Sequence, residues 1–439
     1  MITIIFLLFI IGLIVITATK NKLHPFLALL LAALMMGFIM GLDVSVLIKS
    51  LTQGFGNTLS SIGVIIAFGT IIGVYIEKSG GTLSMANAIL KIVGEKKSAL
   101  AMNLTGFIVS IPVFCDSGFV ILSTLNKALS RKSGISLVVF AVALSTGLYA
   151  THVFVPPTPG PLAAAAILEA DLGLVIIFGL IVAVFSSYAG YLWAKYIGKK
   201  IKITGNDDLE RNDAPHDIPK TSLSFAPIFI PLVLIAFKSI SDYPTYPFGE
   251  GLVHNVIYFL GNPVIALFIG VFLSFSLKRD SKSSHLDWVT IGLKEAGVII
   301  LITGAGGAFG NILRAGEIGE IIGSNLADLK IGILLPFIIA AVLKSAQGSS
   351  TVAIITTAAI VAPLLESLGL VSQVGRVLAV LSIGAGSMTV SHFNDSFFWV
   401  VAQFSDMDTA TALKSQTSAT FIQGIVGMGT ILILTMIFI

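Results

Sequence analysis

The sequence predicts an all-α polytopic membrane protein made of two inverted repeats, each with a re-entrant hairpin and a discontinuous helix. Three observations predict this fold class. Of the 439 residues, 55% are hydrophobic and 11% are charged, whereas soluble proteins carry about 25% charged residues. The apolar runs are about 17–25 residues long, which is the length of a membrane-spanning helix. In each half of the chain, two long apolar runs are interrupted by polar residues, glycine or proline.

Three spans are predicted before the first interruption, at about 2–19, 23–41 and 57–76. An amphipathic stretch, 44–53, separates the second span from the third. The first run is uncharged and has no basic segment ahead of it, so it is interpreted as a span and not as a cleaved signal peptide.

The first predicted hairpin is 99–130, an apolar run interrupted by Pro112 and by the Asp-Ser-Gly sequence at 116–118. Lysine and arginine flank both ends of this run, so the positive-inside rule predicts that both ends are cytoplasmic. A segment that enters and leaves on one side is re-entrant. The alternative is one full span with Asp116 at its centre.

The next run, 134–170, is too long for one straight span and has prolines at 156, 157, 159 and 161. Proline inside a helix removes a hydrogen bond and clashes with the preceding turn. We therefore predict a discontinuous helix with His152 and Thr158 at its break. A further span follows at about 173–194.

The polar segment 199–221 starts with a basic cluster and is predicted to be a cytoplasmic linker between the repeats 1–198 and 222–439. The second repeat has the same plan as the first, and the acidic flanks of its hairpin predict the opposite orientation in the membrane. Its predicted elements are spans at 222–240, 262–277, 296–313 and 418–438, a hairpin at 331–365 interrupted by KSAQGSST, and a discontinuous helix at 372–404 interrupted by SHFND.

Inverted repeats, broken helices and polar groups at mid-membrane are the design of secondary transporters. The unpaired N–H groups of broken helices attract a carboxylate, and neutral polar side chains suit hydroxyl groups. The predicted substrate is therefore a small anionic solute that carries hydroxyls. The chain has no Walker A loop and no His-Glu-x-x-His motif, its net charge of +3 indicates no nucleic-acid partner, and its single cysteine, Cys115, excludes an intramolecular disulfide.

Asp116 and Asp395 are the first candidates for proton coupling, with His152 and His392 assisting; purely structural hydrogen-bonding roles are the alternative. Lys344 is predicted to pair with an aspartate or with the substrate carboxylate, or to reach the membrane surface along its alkyl stem. No catalytic residue, metal or cofactor is predicted. The candidate substrate-binding residues are the polar residues and glycines at the four interruptions: Ser117, Gly118, Thr158, Gln347, Gly348, Ser349, Ser350, Thr351, Asn394 and Ser396.

Four motifs, PVFCDSGFVIL (112–122), THVFVPPTPGP (151–161), KSAQGSSTVA (344–353) and SHFNDSFFW (391–399), resemble the gluconate permease family of proton symporters. The resemblance extends over essentially the whole chain. It implies proton-coupled uptake of gluconate or a related sugar acid across a bacterial inner membrane. The substrate is not fixed by it, since members of the family also carry D-serine, whose ammonium would need a partner such as Asp116 or Asp395.

The family is similar in plan to the wider ion-transporter superfamily, which implies an elevator mechanism and a homodimer. Residues 99–170 and 331–404 would then form the moving part. Both termini are predicted to be periplasmic. Two alternatives stay open, namely a sodium-coupled carboxylate or D-serine symporter of the same plan and an intramembrane aspartyl enzyme.

Overall fold

The computed structural model describes residues 23–203, 218–241, 251–278, 284–317, 332–392 and 395–439. Within these segments all the regular structure is helical and no strand occurs, so the all-α prediction is confirmed for them. The predicted first span, 2–19, and most of the linker 199–221 lie outside the described residues.

Most helices of the first half begin and end close to the predicted boundaries. Among the described residues, six helical segments are long and apolar enough to cross a membrane, and a bent pair of helices, Leu252–Leu260 and Pro263–Phe275, adds a seventh if it counts as one span. In the described part of the first half the helices are α1 (Pro25–Ile39), α2 (Val44–Lys78), α3 (Gly81–Val93), α4 (Ser98–Val109), α5 (Cys115–Ser133), α6 (Leu137–Phe154), α7 (Pro159–Ile167) and α8 (Leu172–Lys200).

The described part of the second half is also helical and includes a short π-helical turn at Leu413–Thr417. Its described helices are α9 (Thr221–Ser241), α10 (Leu252–Leu260), α11 (Pro263–Phe275), α12 (His285–Ala315), α13 (Leu334–Gln347), α14 (Ser350–Val361), α15 (Gln373–Met388), α16 (Ser396–Phe404), α17 (Thr409–Ala412) and α18 (Ser418–Phe438).

Helix α6 lies at the centre of the molecule, since all of its residues are buried. It packs against α4, α5 and α8, and α15 also contacts it. A helix that is apolar on every side needs neighbours on every side, which explains its central position. The long helices α2 and α12 pack against each other, α12 packs against α1 and α14, and α2 packs against α11.

A helix ends at or next to each interruption predicted from the sequence, although residues 116–118 lie in the first turn of α5 and His152 lies in the last turn of α6. Pro112 lies in the gap between α4 and α5, and Pro156 and Pro157 lie between α6 and α7. Between α13 and α14, Gly348 adopts a left-handed conformation with φ of 85°, which ends α13 in the way glycine commonly ends helices. The side chain of Ser349 then caps α14 by accepting a hydrogen bond from the amide of Val352 at 3.3 Å.

The two discontinuous helices are joined to each other at one end. Arg376 of α15 donates to the carbonyl of Leu168 at 2.8 Å and to the Glu169 carboxylate at 3.0 Å, just after α7 ends. Gln373 accepts a hydrogen bond from the amide of Asp171 at 3.0 Å. These contacts fix the end of α7 to the start of α15.

Three helix boundaries differ from prediction. Helix α2 is continuous from Val44, whereas the span was predicted to begin at residue 57. Gly54 does not break the helix; it allows close packing against Gly307 of α12. Helix α12 begins at His285, before the predicted start at residue 296, and Ser284 and Asp287 form a capping box there. Helix α10 was not predicted, and it is bent by 64° relative to α11.

The same order of elements occurs in both halves: a helix pair, then a helix with an interruption. That the halves are inverted in the membrane, and that 99–170 and 331–404 move together, remain predictions.

We expect Gly147→Ala to destabilise the protein, because α4 and α6 approach too closely for a side chain. A Cβ atom at Gly147 would overlap the backbone carbonyl oxygen of Asn103, and one at Gly106 would lie 2.6 Å from the carbonyl of Leu144. Overpacking of this kind costs about 1–3 kcal/mol. The melting temperature in detergent is the measurement. Gly56→Ala is the control, because a Cβ there meets nothing within 4 Å; equal melting temperatures for the two variants would contradict this packing.

Candidate functional site

A buried ion pair joins the tip of α13 to the start of α16. Lys344 Nζ lies 2.6 Å from Asp395 Oδ2, and the side chains are 0% and 6% exposed. Lys344 occupies the last turn of α13, and Asp395 is the N-cap of α16. Removing an unpaired charge from water costs several kcal/mol, so each of these groups depends on the other. Of the alternatives for Lys344, the structure selects pairing with an aspartate.

Both members of the pair have further hydrogen bonds. Asp395 accepts from the hydroxyl of Ser391 and, through Oδ1, from the amide of Phe397 at 3.1 Å. Lys344 also donates to the carbonyl oxygen of Gly348. The carboxylate therefore has three donors and the ammonium has two acceptors, a degree of satisfaction that a buried pair requires.

The interruption that carries Asp395 is held in place by the start of α18. The amide of Ser391 donates to Thr420 Oγ1 at 3.0 Å, and Thr417 Oγ1 donates to the carbonyl of Ser391 at 2.5 Å. His392 contacts the carbonyl of Ser345 through Nε2 at 3.0 Å, which links the same interruption to α13. His392 is thus placed to fix the two tips relative to each other.

Aromatic rings from α6 and α16 cover the ion pair. The Tyr149 ring centroid is 5.9 Å from Lys344 Nζ and 5.3 Å from the Phe397 ring centroid. His152, one turn after Tyr149, stacks on it at 6.5 Å with an interplanar angle of 18°. The Tyr149 hydroxyl also donates to the carbonyl oxygen of Ser387 in α15 at 3.5 Å. The apolar surface limits access of water, which strengthens electrostatic interactions at the pair.

Asp116 lies at the start of α5, close enough to interact electrostatically with Asp395 and Lys344. Its Oδ1 atom is buried and has no hydrogen-bond partner among the described residues. The same is true of Nδ1 of His152 and Nε2 of Gln347. Buried polar atoms are normally satisfied, so these three atoms are available to a polar ligand with several hydroxyl or carboxylate oxygens.

The remaining predicted residues divide into two groups. Three of them have close contacts within the protein: Ser117 lies near Glu77 of α2, Gly118 packs closely on Leu148, and Thr158 donates to the carbonyl of Val155 at 2.6 Å. That these three also bind the substrate remains a prediction. Ser349 caps α14, Ser350 is buried, Thr351 is half-buried, Ser396 is exposed, and Asn394 lies outside the described residues.

The sequence analysis missed two important residues. Ser391 was part of the predicted interruption but was not selected, although its hydroxyl bonds directly to Asp395. Tyr149 lies three residues before His152, the spacing that brings two side chains to one face of a helix. Among the described residues, no group of three or more His, Cys, Asp and Glu side chains is arranged to hold a metal ion.

Comparisons with known proteins identify the family of this chain and proteins similar to it. The sequence model of the GntP family permease matches residues 2–437. A gluconate permease of Pseudomonas aeruginosa is 36% identical over 439 residues, covering 98% of this chain and 96% of the relative. The D-serine transporter DsdX of Escherichia coli is 33% identical over 438 residues, or 97% of each chain.

The fold is also similar to a solved structure. The crystal structure of the Alcanivorax borkumensis YdaH transporter, described as having an unusual topology, matches with a TM-score of 0.68 over 95% of this chain and 99% of that chain. At 13% identity this match concerns the fold alone. The family match over nearly the whole chain, with the apolar helices, shows that the protein belongs to the GntP permease family and is a multi-pass inner-membrane transporter, not an enzyme.

Proposed function

We propose that the protein takes up gluconate, or a closely related small hydroxy or sugar acid, together with a proton. The observation that carries the proposal is the buried Lys344–Asp395 pair, one cation and one titratable anion joined at two helix interruptions. The similarity to a gluconate permease supports the choice of substrate. Asp395 would carry the proton, and Lys344 would bind the carboxylate of the substrate.

The pair supports this coupling because Asp395 Oδ2, 2.6 Å from Lys344 Nζ, is already the anionic partner of this buried ammonium. When Asp395 is ionised, it occupies Lys344. When Asp395 is protonated, the ammonium loses its anion and needs another, which a substrate carboxylate supplies. Proton and substrate would therefore bind together, since either alone leaves a buried charge unpaired at a cost of several kcal/mol.

The charges balance in both transporting forms. Apart from Asp116, whose charge does not change in this exchange, the empty site holds a Lys344 cation and an Asp395 anion, which together have a net charge of zero. The loaded site would hold the same cation, a neutral Asp395 and one substrate carboxylate, so its net charge is again zero. An elevator-type movement would then carry no uncompensated charge across the membrane in either direction. The same balance limits leakage of protons without substrate.

The hydroxyls of the substrate would bind to polar groups around the pair. Ser391, which bonds to the ionised Asp395, can turn its hydroxyl to a new acceptor when that carboxylate is neutral. Gln347 and His152 offer buried atoms without a partner in the described structure. Ser350 is buried at the start of α14, in the same interruption as Gln347. The combination suits a chain of hydroxyls next to a carboxylate.

A D-serine substrate is the second candidate, because a D-serine transporter is among the full-length relatives. Its ammonium would need an anion besides Asp395, which is neutral in the loaded form. Asp116 is the carboxylate within electrostatic range of the pair, and its Oδ1 atom lacks a partner in the described structure. Competition by D-serine and by unlabelled sugar acids against radiolabelled gluconate would rank the substrates.

We expect Asp395→Asn to fold but to lose concentrative uptake. The amide resembles a protonated carboxyl, so the variant should bind gluconate and exchange it across the membrane without using a proton gradient. The measurement is radiolabelled gluconate uptake and counterflow in sodium-free proteoliposomes with an inward proton gradient. Asp406→Asn is the matched control, since Asp406 also pairs with a lysine, Lys127, at 2.9 Å. Full accumulation of gluconate by Asp395→Asn would contradict the role of Asp395 in proton coupling. Uptake by the unaltered protein only after sodium is added would favour sodium coupling.

We expect Lys344→Gln to weaken gluconate binding by about ten- to a hundredfold, because a hydrogen bond to a charged group contributes about 1.5–3 kcal/mol. The double variant Lys344→Gln/Asp395→Asn removes the unpaired Asp395 charge and should recover stability without recovering binding. Binding is measured calorimetrically on purified protein, with Lys127→Gln as the control. Unchanged gluconate affinity in Lys344→Gln would contradict the role given to Lys344.

We expect gluconate transport to be electroneutral. One proton per gluconate anion moves no net charge, whereas one proton with zwitterionic D-serine moves one positive charge. Currents recorded from proteoliposomes on a solid-supported membrane separate the cases. A gluconate current that carries net positive charge inward would show more than one coupled cation per substrate and would contradict the single-proton exchange at Asp395.

A further inference from the structure

A second charged cavity lies away from the Lys344–Asp395 site, between the ends of α4 and α5 and the last turns of α8. Its volume is about 710 Å³. No aspartate or glutamate is among the described residues that line it. Its charged residues are all cationic, namely Lys96, Lys97, Arg131, Lys195, Lys199 and Lys202.

The cations come from separate elements that the fold brings together. Lys96 and Lys97 precede α4, Arg131 is in the last turn of α5, and Lys195 and Lys199 are one turn apart on α8. Several like charges around one cavity repel each other, so an anion bound there would relieve that repulsion. A single carboxylate needs one such cation, whereas phosphate groups with several oxygens suit a cluster.

The cavity continues into an apolar strip on the same face of α8. Tyr188 and Leu192 line the cavity and are about half exposed, and they precede Lys195 and Lys199 at helical spacing. One turn further along, Ile181 and Phe185 extend the exposed apolar strip. A phosphate group bound at Lys195 and Lys199 would therefore lie at one end of this apolar strip, and the strip could contact a lipid acyl chain.

Tyrosine supports the same assignment. Lys195 Nζ lies 5.7 Å above the centroid of the Tyr191 ring, and Tyr188 and Tyr191 both line the cavity. Tyrosine is enriched at the level of lipid headgroups, where its ring is apolar and its hydroxyl is wet. Clusters of lysine and arginine at this level mark the cytoplasmic side and bind anionic lipid headgroups.

We infer that this cavity binds the phosphodiester headgroup of an anionic phospholipid, with one acyl chain along the Ile181–Leu192 strip of α8. The site is separate from the transport chemistry at Lys344 and Asp395. The lipid would join the α4–α5 hairpin to α8 across their basic ends.

The test is native mass spectrometry of the delipidated full-length protein, titrated with phosphatidylglycerol or with phosphatidylcholine of the same acyl chains. We expect phosphatidylglycerol to bind at least about tenfold more tightly. Lys195→Gln/Lys199→Gln/Lys202→Gln should weaken phosphatidylglycerol binding by about a hundredfold, since each lysine near an anionic headgroup contributes about a factor of five. Equal binding of the two lipids, or unchanged binding by the triple variant, would overturn the inference.

The matched control is Lys91→Gln/Lys200→Gln/Lys414→Gln, which removes the same charge from residues that do not line this cavity. It should bind phosphatidylglycerol like the unaltered protein, and weakening equal to that of the first triple variant would reduce the effect to net charge and overturn the site. Lys96→Gln/Lys97→Gln, on a different element, gives a second measure if the first triple variant fails to fold. Glycerol 3-phosphate and inorganic phosphate test whether a soluble phosphate compound binds in this cavity. If either binds as tightly as phosphatidylglycerol, the apolar strip of α8 has no role in binding and the inference of a lipid is overturned.

Discussion

The ion pair between Lys344 and Asp395 is the interaction on which the rest of this structure depends. It is buried, and each charge would be costly without the other. Both side chains lie next to helix interruptions, Lys344 just before the one at 348–349 and Asp395 just before the start of α16. Tyr149 and Phe397 cover the pair, and α18 holds Ser391 in position beside it. Tyr149 lies on α6, a helix whose residues are all buried.

Much of this arrangement follows from the sequence because the signals are strong ones. Proline clusters and SHFND inside apolar runs predict interruptions, and the helices do end there. The sequence also gives Asp395 and Lys344 as the unusual charges in apolar surroundings. It cannot choose between partners for Lys344, since Asp116, Asp395, a substrate and the membrane surface all satisfy the same need for charge compensation. Only the packing of α13 against the start of α16 decides that.

The errors have physical reasons as well. Residues 44–53 were predicted as an amphipathic stretch separate from the span at 57–76, but the helix continues through Gly54, which packs closely against Gly307. The start of α12 was predicted too late, at residue 296 instead of His285. Its first turns contain three charged residues, Asp287, Lys294 and Glu295, and charged residues were taken as evidence against a membrane span. Ser391 was overlooked since a serine in an interruption gives no signal of its own; its importance comes from the carboxylate beside it.

The most direct test of the account is the number of protons that the purified protein takes up when it binds gluconate. Calorimetric titrations in buffers of different ionisation enthalpy measure this number without transport. Exchange of Asp395 for the substrate carboxylate at Lys344 predicts one proton per gluconate near neutral pH, and none for Asp395→Asn. Binding without proton uptake in the unaltered protein, or unchanged proton uptake in Asp395→Asn, would contradict the exchange and leave the ion pair as a structural feature only.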